Sequence, residues 1–334
     1  MPQPIKISAS RGAGILGVSK YKTSLQSWLE IMEQMHPGFC VANKFVVPEF
    51  EYNSAMKWGH AFENSIIELA ENKLNDKIED REHLAYYKGF ENENYITCHI
   101  DGRYHNDWSL HEGKTTNIKT FYSEWGEPGT DRVPMDYQIQ CQHQIICTGA
   151  SEVILSVLVF PKRVDEFEAE GWIVQQHKNP DYYYLFNEKE QRATTSENWS
   201  KVLNDMGFFH QYIVHPNKAL HELMLDKYSD FWNNNVLKQI SPDPVNCDDI
   251  KSIYTEPKGT VIASEQVERW NAERKQLNEE IKEMKKKADQ LKFLEQDFLR
   301  TAEKVIDEET REKTYLMSRD GKKIASYGKT GGMR

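Results

Sequence analysis

The run Val153–Phe160, VILSVLVF, narrows the possible folds more than any other stretch of the chain. Seven of its eight residues are apolar and β-branched valine and isoleucine dominate, so it reads as a strand. A strand facing water on one side would alternate polar and apolar residues; an unbroken run is covered on both faces. Layers on both sides of a sheet imply a mixed α/β body. Other segments agree. Tyr95–Asp101 sets Ile96, Cys98 and Ile100 against Thr97, His99 and Asp101, the period-two pattern of a second strand. Leu110–Thr116 follows as a third, with Asn106-Asp107 in the connection. Helical patterns cover 53–74, 134–148, 196–206 and 217–238, the last ending in FWNNNVL, while Trp172–Gln175 and Tyr182–Phe186 add strands. Near the start, SASRGAGILG and SKYKTSLQSWLEIMEQ predict a short helix, a Gly-rich turn and an amphipathic helix. That helix turns Leu25, Trp28, Leu29 and Met32 inward.

Residues 1–240 read as one globular domain, and 241–260, SPDPVNCDDIKSIYTEPKGT, as a linker rich in Pro and Asp. Residues 261–310 form a helical segment: Leu277, Ile281, Met284, Ala288, Leu291, Phe298, Ala302 and Val305 follow 4–3 spacing, with Glu295 at one core position. Two readings stand, a coiled coil joining protomers or a partner and a helix packed on its own domain. Residues 311–334 read as a small β-hairpin, TYLMS and KIASY around Asp320-Gly321, with a basic tail. Over 313–334, six cations (Lys313, Arg319, Lys322, Lys323, Lys329, Arg334) against Asp320 suit either DNA contact or a solvated tail.

Charged residues make up 28% of the chain, so most of its carboxylates are ordinary solvated groups. No apolar run approaches the ~20 residues that span a bilayer, and MPQPIKISAS lacks a basic segment followed by an apolar one. Five cysteines with no C-x-x-C pair fit a reducing compartment. The expectation is a cytoplasmic protein without a membrane partner. A net charge of −10 argues against a broadly basic DNA-coating surface, though it leaves room for a local basic channel.

The chemistry concentrates on Asp101, Glu112 and Lys114. Strand alternation puts Glu112 and Lys114 on one face, two residues apart, and an aspartate ending the preceding strand meets Glu112 across the pair. Two carboxylates with the Gly113 carbonyl suit Mg²⁺, which prefers oxygen ligands. A lysine beside them orients or deprotonates an attacking water. The spacing alone equally describes an ion pair at a strand edge. Glu63 adds weight: it shares a helical face with Gly59, Ile66, Ile67 and Ala70, where a carboxylate is costly to bury without a partner. It reads as a third metal ligand or as a partly exposed side chain in the first turns of its helix.

In this order the motifs resemble the lambda-exonuclease-type family of PD-(D/E)xK nucleases, in particular its YqaJ-like viral recombinase branch. I-S-A-S at 7–10 is similar to the family's N-terminal helix motif, and Trp58-Gly59-His60-Ala61-Phe62-Glu63 to its W-G-x-x-x-E. Asp101-Gly102 and Glu112-Gly113-Lys114 resemble its D-G and E-x-K pair. Tyr137-x-x-Gln140 with Thr148-Gly149 resembles its Y-x-x-Q helix, and Phe231-Trp232 to Pro242 its final segment. The resemblance spans about 5–245. It implies a restriction-endonuclease-like core, a mixed central sheet flanked by helices, and a phage or prophage enzyme working in a bacterial cytoplasm. The implied activity is digestion of linear double-stranded DNA from the 5′ end, with two Mg²⁺ ions for which Mn²⁺ substitutes. The product would be a 3′ overhang for a single-strand annealing protein, and a homo-oligomer is implied. By the same match, Glu63, Asp101, Glu112 and the Gly113 carbonyl bind metal, Lys114 activates water, and Gln140 holds the lysine or DNA. Ser10 would contact the terminal phosphate and Tyr137 the DNA. The family's phosphate-binding arginine before the S-A-S-like motif is missing here, and Arg11 and Lys20 are the candidates to replace it.

Competing motifs are weaker. Cys141-x-His143-x₃-Cys147 lies on one helix and supplies too few ligands for zinc. Gly113-Lys114-Thr115 and Gly328-Lys329-Thr330 lack the earlier glycine of a phosphate-binding loop, where Trp108 and Lys323 stand. Tyr137, Gln140, Gln144 and Cys147 share a helical face, with His143 one turn after Gln140; the run lines a DNA channel or is simply a polar helix face. Trp125 and Tyr122 either stack on bases or belong to the core. Two other functions remain open: a structure-specific or repair endonuclease with the same core, and a non-catalytic recombination scaffold acting through the coiled coil.

Overall fold

Strand β7 (Glu152–Phe160), the apolar run, lies inside a five-stranded sheet. The computed structural model describes residues 6–46, 52–89, 95–107, 109–176, 183–254, 259, 262–301, 313–317 and 323–328. Across the sheet the order is β11 (Phe209–Val214), β7, β6 (Ser109–Asn117), β5 (Gly102–Tyr104) and β2 (Ile78–Glu79). β6 and β7 are parallel, with Glu112 opposite Leu155 and Lys114 opposite Val157; the other pairs are antiparallel. A parallel pair needs a crossover, here made by α5 (Ile118–Glu124) and α6 (Met135–Thr148).

The two faces of β7 enter separate cores, which is why the run is apolar throughout. Val153, Leu155, Val157 and Val159 pack with Ile139, Cys141 and Ile145 of α6 and with the N-terminal helices α1 (Ala9–Ile15) and α2 (Ser24–Met35). Ile154, Leu158 and Phe160 pack with Trp58, Phe62 and Ile66 of α4 (Ser54–Leu74). In this second core Trp58 stacks on Phe167 at 5.3 Å and meets Phe160 and Trp199 edge-on. A fully buried side chain of this size contributes about 2–3 kcal/mol, so Trp58 fixes the seat of α4 against the sheet. The α2 positions Leu25, Trp28, Leu29 and Met32 are all buried, as their spacing requires. Thr23 caps that helix with a capping box through Gln26.

Smaller sheets flank this body. β1 (Ile7–Ser8) runs parallel to β4 (Ile96–Ile100), which pairs antiparallel with β3 (His83–Tyr86). β8 (Trp172–Gln176), β9 (Tyr183–Asn187) and β10 (Arg192–Thr195) form an antiparallel sheet, accompanied by α7 (Val164–Ala169) and α8 (Ser196–Asp205). Helix α9 (Lys218–Asp230) continues into a π-helix over Phe231–Val236, where Trp232 stacks on Tyr95 at 4.7 Å. The chain is thus a mixed α/β protein with mixed sheets flanked by helices.

Two details differ from the sequence reading. Tyr95–Asp101 does not pair with the Glu112 strand: β4 belongs to the small sheet, and β5, a strand not anticipated, is the neighbour of β6. Asp101 is the bend between the sheets. Gly102 after it has no room for a side chain, since a Cβ there would lie 2.2 Å from Ile78 Cγ2. Second, the stretch expected as a linker contains α10 (Cys247–Ile253), which docks beside the chain that follows the one-turn α3 (Phe39–Ala42). Buried Asp249 accepts from Thr23 Oγ1 at 2.8 Å, and Ser252 O accepts from the Val46 N–H at 2.8 Å. The chain divides into Met1–Pro257 and Lys258–Arg334.

The second unit contains the long α11 (Glu265–Thr301) and an antiparallel pair, β12 (Lys313–Met317) and β13 (Lys323–Gly328), with a register shift at Leu316/Met317. The Asp320-Gly321 turn, Ala302, Val305 and the ends of the basic tail lie outside the described residues, as does Trp108. Among the described residues no helix is long and apolar enough to cross a membrane.

Candidate active site

β6 sorts its residues by face. His111, Gly113 and Thr115 look toward α4: a Cβ at Gly113 would lie 3.3 Å from Ile66 Cγ2, and one at Gly59 would lie 3.4 Å from Thr115 Oγ1. Glu112 and Lys114 point the other way, toward α6. Helix α6 starts at Pro134 and ends at Gly149, which takes the left-handed conformation that favours glycine there. One face of this helix presents Tyr137, Gln140 and Gln144 to the strand.

Glu112 is 1% exposed and every bond it makes is charge-assisted. Its Oε1 accepts from Lys114 Nζ and Gln140 Nε2, each at 2.5 Å, and its Oε2 accepts from Gln144 Nε2 at 2.5 Å. The Lys114 ammonium lies 5.3 Å from the centroid of the Tyr137 ring, a cation–π contact. Tyr137 in turn meets Trp125 at 5.6 Å. Asp101 follows the register one step beyond the Gly102–His111 pair, and its Oδ2 accepts from the Gly113 N–H at 2.8 Å. Asp101, Glu112, Lys114, Tyr137 and Gln140 are therefore gathered at one place.

The electrostatics follow from this crowding. Burial and the Glu112 charge push the Asp101 carboxyl up to about 7, against the opposing pull of Lys114 and the Gly113 N–H. Burial works against the Lys114 charge, but Glu112 and Asp101 outweigh it and hold the ammonium above its ordinary range. Lys114 is consequently protonated at neutral pH. His111, on the α4 side, is pushed down to about 3 by burial, and its Nε2 has no partner among the described residues.

Other sequence candidates sit elsewhere. Glu63 is on α4, across β6 from Glu112; its side chain is 37% exposed and pairs with His60 Nδ1 at 3.2 Å. Its charge contributes to raising Asp101, yet among the described residues no three His, Cys, Asp or Glu side chains form a ready ligand cluster. Like charges repel, so three carboxylates do not close on one point without a cation between them. Arg11 is committed to α2, pairing with Glu30 at 3.2 Å and donating to Gln34 and to Lys6 O. Ser10 is exposed, with its Oγ 3.1 Å from that of Ser8. Lys20 pairs with Glu124 at 2.8 Å. It lines a cleft of about 530 Å³ that runs from Thr115, Thr116 and Tyr137 to Arg163. His143 does not line a channel: it is buried, donates from Nε2 to Thr97 O at 2.9 Å and accepts from the Tyr228 hydroxyl. Trp125 is core and Tyr122 is exposed.

Residues 4–151 match the family model of the YqaJ-like viral recombinase domain, a range that holds the whole Glu112 constellation. No curated protein matches the chain. Among solved structures it is similar to an alkaline exonuclease from Laribacter hongkongensis, at 17% identity over 70% of this chain and 89% of that one, with a TM-score of 0.43. It is also similar to a phage-related exonuclease from Haemophilus somnus 129PT, at 12% identity over 71% and 97%, with a TM-score of 0.45.

The donor chemistry of this site fits a hard divalent cation. Two oxygen-bearing carboxylates are pressed together, one held up to about 7 by burial and the other's charge, and a cation relieves that repulsion. The buried Gln144 Oε1, like His111 Nε2, has no partner among the described residues. Gln144 is the residue whose part the sequence hid. Its place one turn after Gln140 put it on the right face, but glutamine there is also an ordinary polar surface residue. Gln144→Leu removes the donor to Glu112 Oε2, and loss of a group that orients a ligand typically costs 10–100-fold. We expect any metal-dependent reaction at this site to slow about 10–100-fold, with the thermal midpoint also lowered, because Glu112 Oε2 is left buried without its donor. An unaltered rate would show that Gln140 and Lys114 suffice to hold the carboxylate.

Proposed function

We propose that the chain is a divalent-metal-dependent exonuclease that degrades one strand of linear double-stranded DNA, 5′ to 3′. The resulting 3′ overhangs would feed phage-type recombination by strand annealing. The observation that carries this reading is the pairing of Asp101 with a buried Glu112 that is held at both oxygens and carries Lys114 beside it. A structural ion pair has no need of a second, raised carboxyl at its side. Asp101, Glu112 and the Gly113 carbonyl would hold the metal, with Glu63 reaching it by leaving His60; Mg²⁺, as two ions, is the proposed cofactor, with Mn²⁺ able to substitute. When bound, the metal lowers the pKa of water and neutralises charge at the scissile phosphate.

The chain's own residues do the rest. Lys114, beside Glu112 and against the Tyr137 ring, would orient or activate the attacking water and offset phosphate charge. Gln140 and Gln144 fix Glu112, and Tyr137 keeps the ammonium aligned. In the adjacent cleft the Thr115 and Thr116 hydroxyls, with Lys20 and Arg163 on release from Glu124 and Asp165, would contact the backbone of a strand leaving the site. In this reading the protein works in a bacterial cytoplasm as a phage or prophage product, as a homo-oligomer, beside an annealing protein.

Linear duplex labelled at either the 5′ or the 3′ end, incubated with Mg²⁺ and sampled early, tests the polarity. Release of the 5′ label first, with closed circular duplex untouched, is the expected result. Early loss of the 3′ label would reverse the polarity, and cutting of the circle would make the enzyme an endonuclease.

A further inference from the structure

Helix α11 exposes every side chain from Glu265 to Leu294, and apart from Ala272, Phe293 and Leu294 the apolar ones share one face. Val267, Trp270, Leu277, Ile281, Met284, Ala288 and Leu291 fall on one stripe at alternating three- and four-residue steps, with Arg274 completing it. The period of 3.5 residues over roughly 42 Å of helix is that of a coiled-coil seam, with Val267, Arg274, Ile281, Ala288 and Glu295 at a positions and Trp270, Leu277, Met284 and Leu291 at d.

The charges on and beside the seam choose its occupant and direction. In a parallel pair of copies, equal a positions face each other. Arg274 then meets the second copy's Arg274, Glu295 meets Glu295, and Lys287 at g meets Lys292 at e. Only Glu280 with Lys285 is favourable there. Antiparallel pairing about a twofold between Lys282 and Glu283 gives a different set. Ile281 packs on Met284 of the second copy, and small Ala288 lies opposite Leu277. Arg274 packs beside Leu291, one turn from Glu295 of the second copy, and Glu280 flanks Lys287 on both sides of the twofold. The e positions bring Asn278 to Lys285 and Asn271 to Lys292, with no like charges opposed. The two charges that interrupt the stripe are thus complementary to each other when the helix meets its own reverse.

We propose that α11 is a self-association surface whose partner is a second copy of this chain, paired antiparallel in this register. The proposal is independent of the nuclease reading, since it uses no residue of the active site.

The test is the molar mass of the full chain, measured by light scattering and sedimentation over a concentration series, for wild type, Arg274→Glu, Glu295→Arg and the double exchange. Each single exchange opposes two like charges in the antiparallel register, so each should weaken association about tenfold or more. The double exchange puts opposite charges back at positions 274 and 295, with their signs swapped, and should recover most of the association. In a parallel pair the double exchange would leave like charges facing and recover nothing. Circular dichroism of each variant confirms that the helix is retained. A chain that is monomeric throughout, an assembly indifferent to Arg274→Glu, or a double exchange no better than the singles would overturn the proposal. The first two outcomes would leave the stripe to a different protein or to another part of this chain.

Discussion

Replacing Lys114 by methionine should lower the rate of duplex digestion by roughly 10²–10⁴-fold, the usual contribution of one positioned proton-handling or charge-stabilising group. The side chain is 21% exposed and its stem runs along β6, so methionine fills the space without the charge. Glu112 keeps its bonds to Gln140 and Gln144, so the fold should survive, with a lowered thermal midpoint because a buried carboxylate loses its cation. Lys114→Arg should rescue little, because a planar guanidinium cannot place a single donor as the ammonium does between Glu112 and the Tyr137 ring. Nucleotide release per minute from a linear duplex, beside a melting curve of each variant, checks this. A Lys114→Met protein that digests DNA within threefold or so of wild type would remove Lys114 from the chemistry.

Asp101→Asn should separate stability from activity in opposite directions. In the folded protein the carboxyl is held up to about 7 by burial and by Glu112, whereas the unfolded chain has it near 3.9. The folded state therefore binds the proton more tightly. The cost of ionising Asp101 is fully present above pH 7, shrinks as the pH falls through the folded value, and is absent below about 4. An asparagine avoids that cost and still accepts from the Gly113 N–H. In EDTA at pH 8 the variant should be more stable by roughly 1–3 kcal/mol, with the gap closing toward pH 4. Mg²⁺ should raise the melting temperature of the wild type and not that of the variant, because only the former binds it in the native state, and digestion should be lost. Melting curves at pH 5 and pH 8, with and without Mg²⁺, read all of this. A gap that stays constant with pH would mean that Asp101 is not held neutral by its neighbours.

The legibility of this chain differs by element, for physical reasons. The β7 run and the helices around 54–74 and 135–148 were readable because burial on one or two faces leaves a periodic trace. The Glu112/Lys114 face was readable because strand alternation is a rule of backbone geometry. The switch of the chain between sheets at Asp101 was not, since β5 is three residues long and its glycine is dictated by a contact with Ile78, far away in sequence. α10 was hidden in a Pro- and Asp-rich segment because its anchor is polar: Asp249 is buried through bonds to Thr23 and Val245 rather than by an apolar stripe. Gln144 and Arg11 show the same limit from two sides. Which polar residue turns toward the Glu112 carboxylate, and which is spent on Glu30, depends on tertiary neighbours that no spacing encodes.

The central claim is that the Asp101/Glu112/Lys114 centre hydrolyses DNA with a divalent metal. Its most direct measurement is the degradation of linear duplex by purified wild-type protein and by Glu112→Gln, each in Mg²⁺ and in EDTA. Digestion by the wild type in Mg²⁺ alone, with the variant inert in both, is the predicted result. Digestion in EDTA, or a Glu112→Gln protein as active as wild type, would contradict the account.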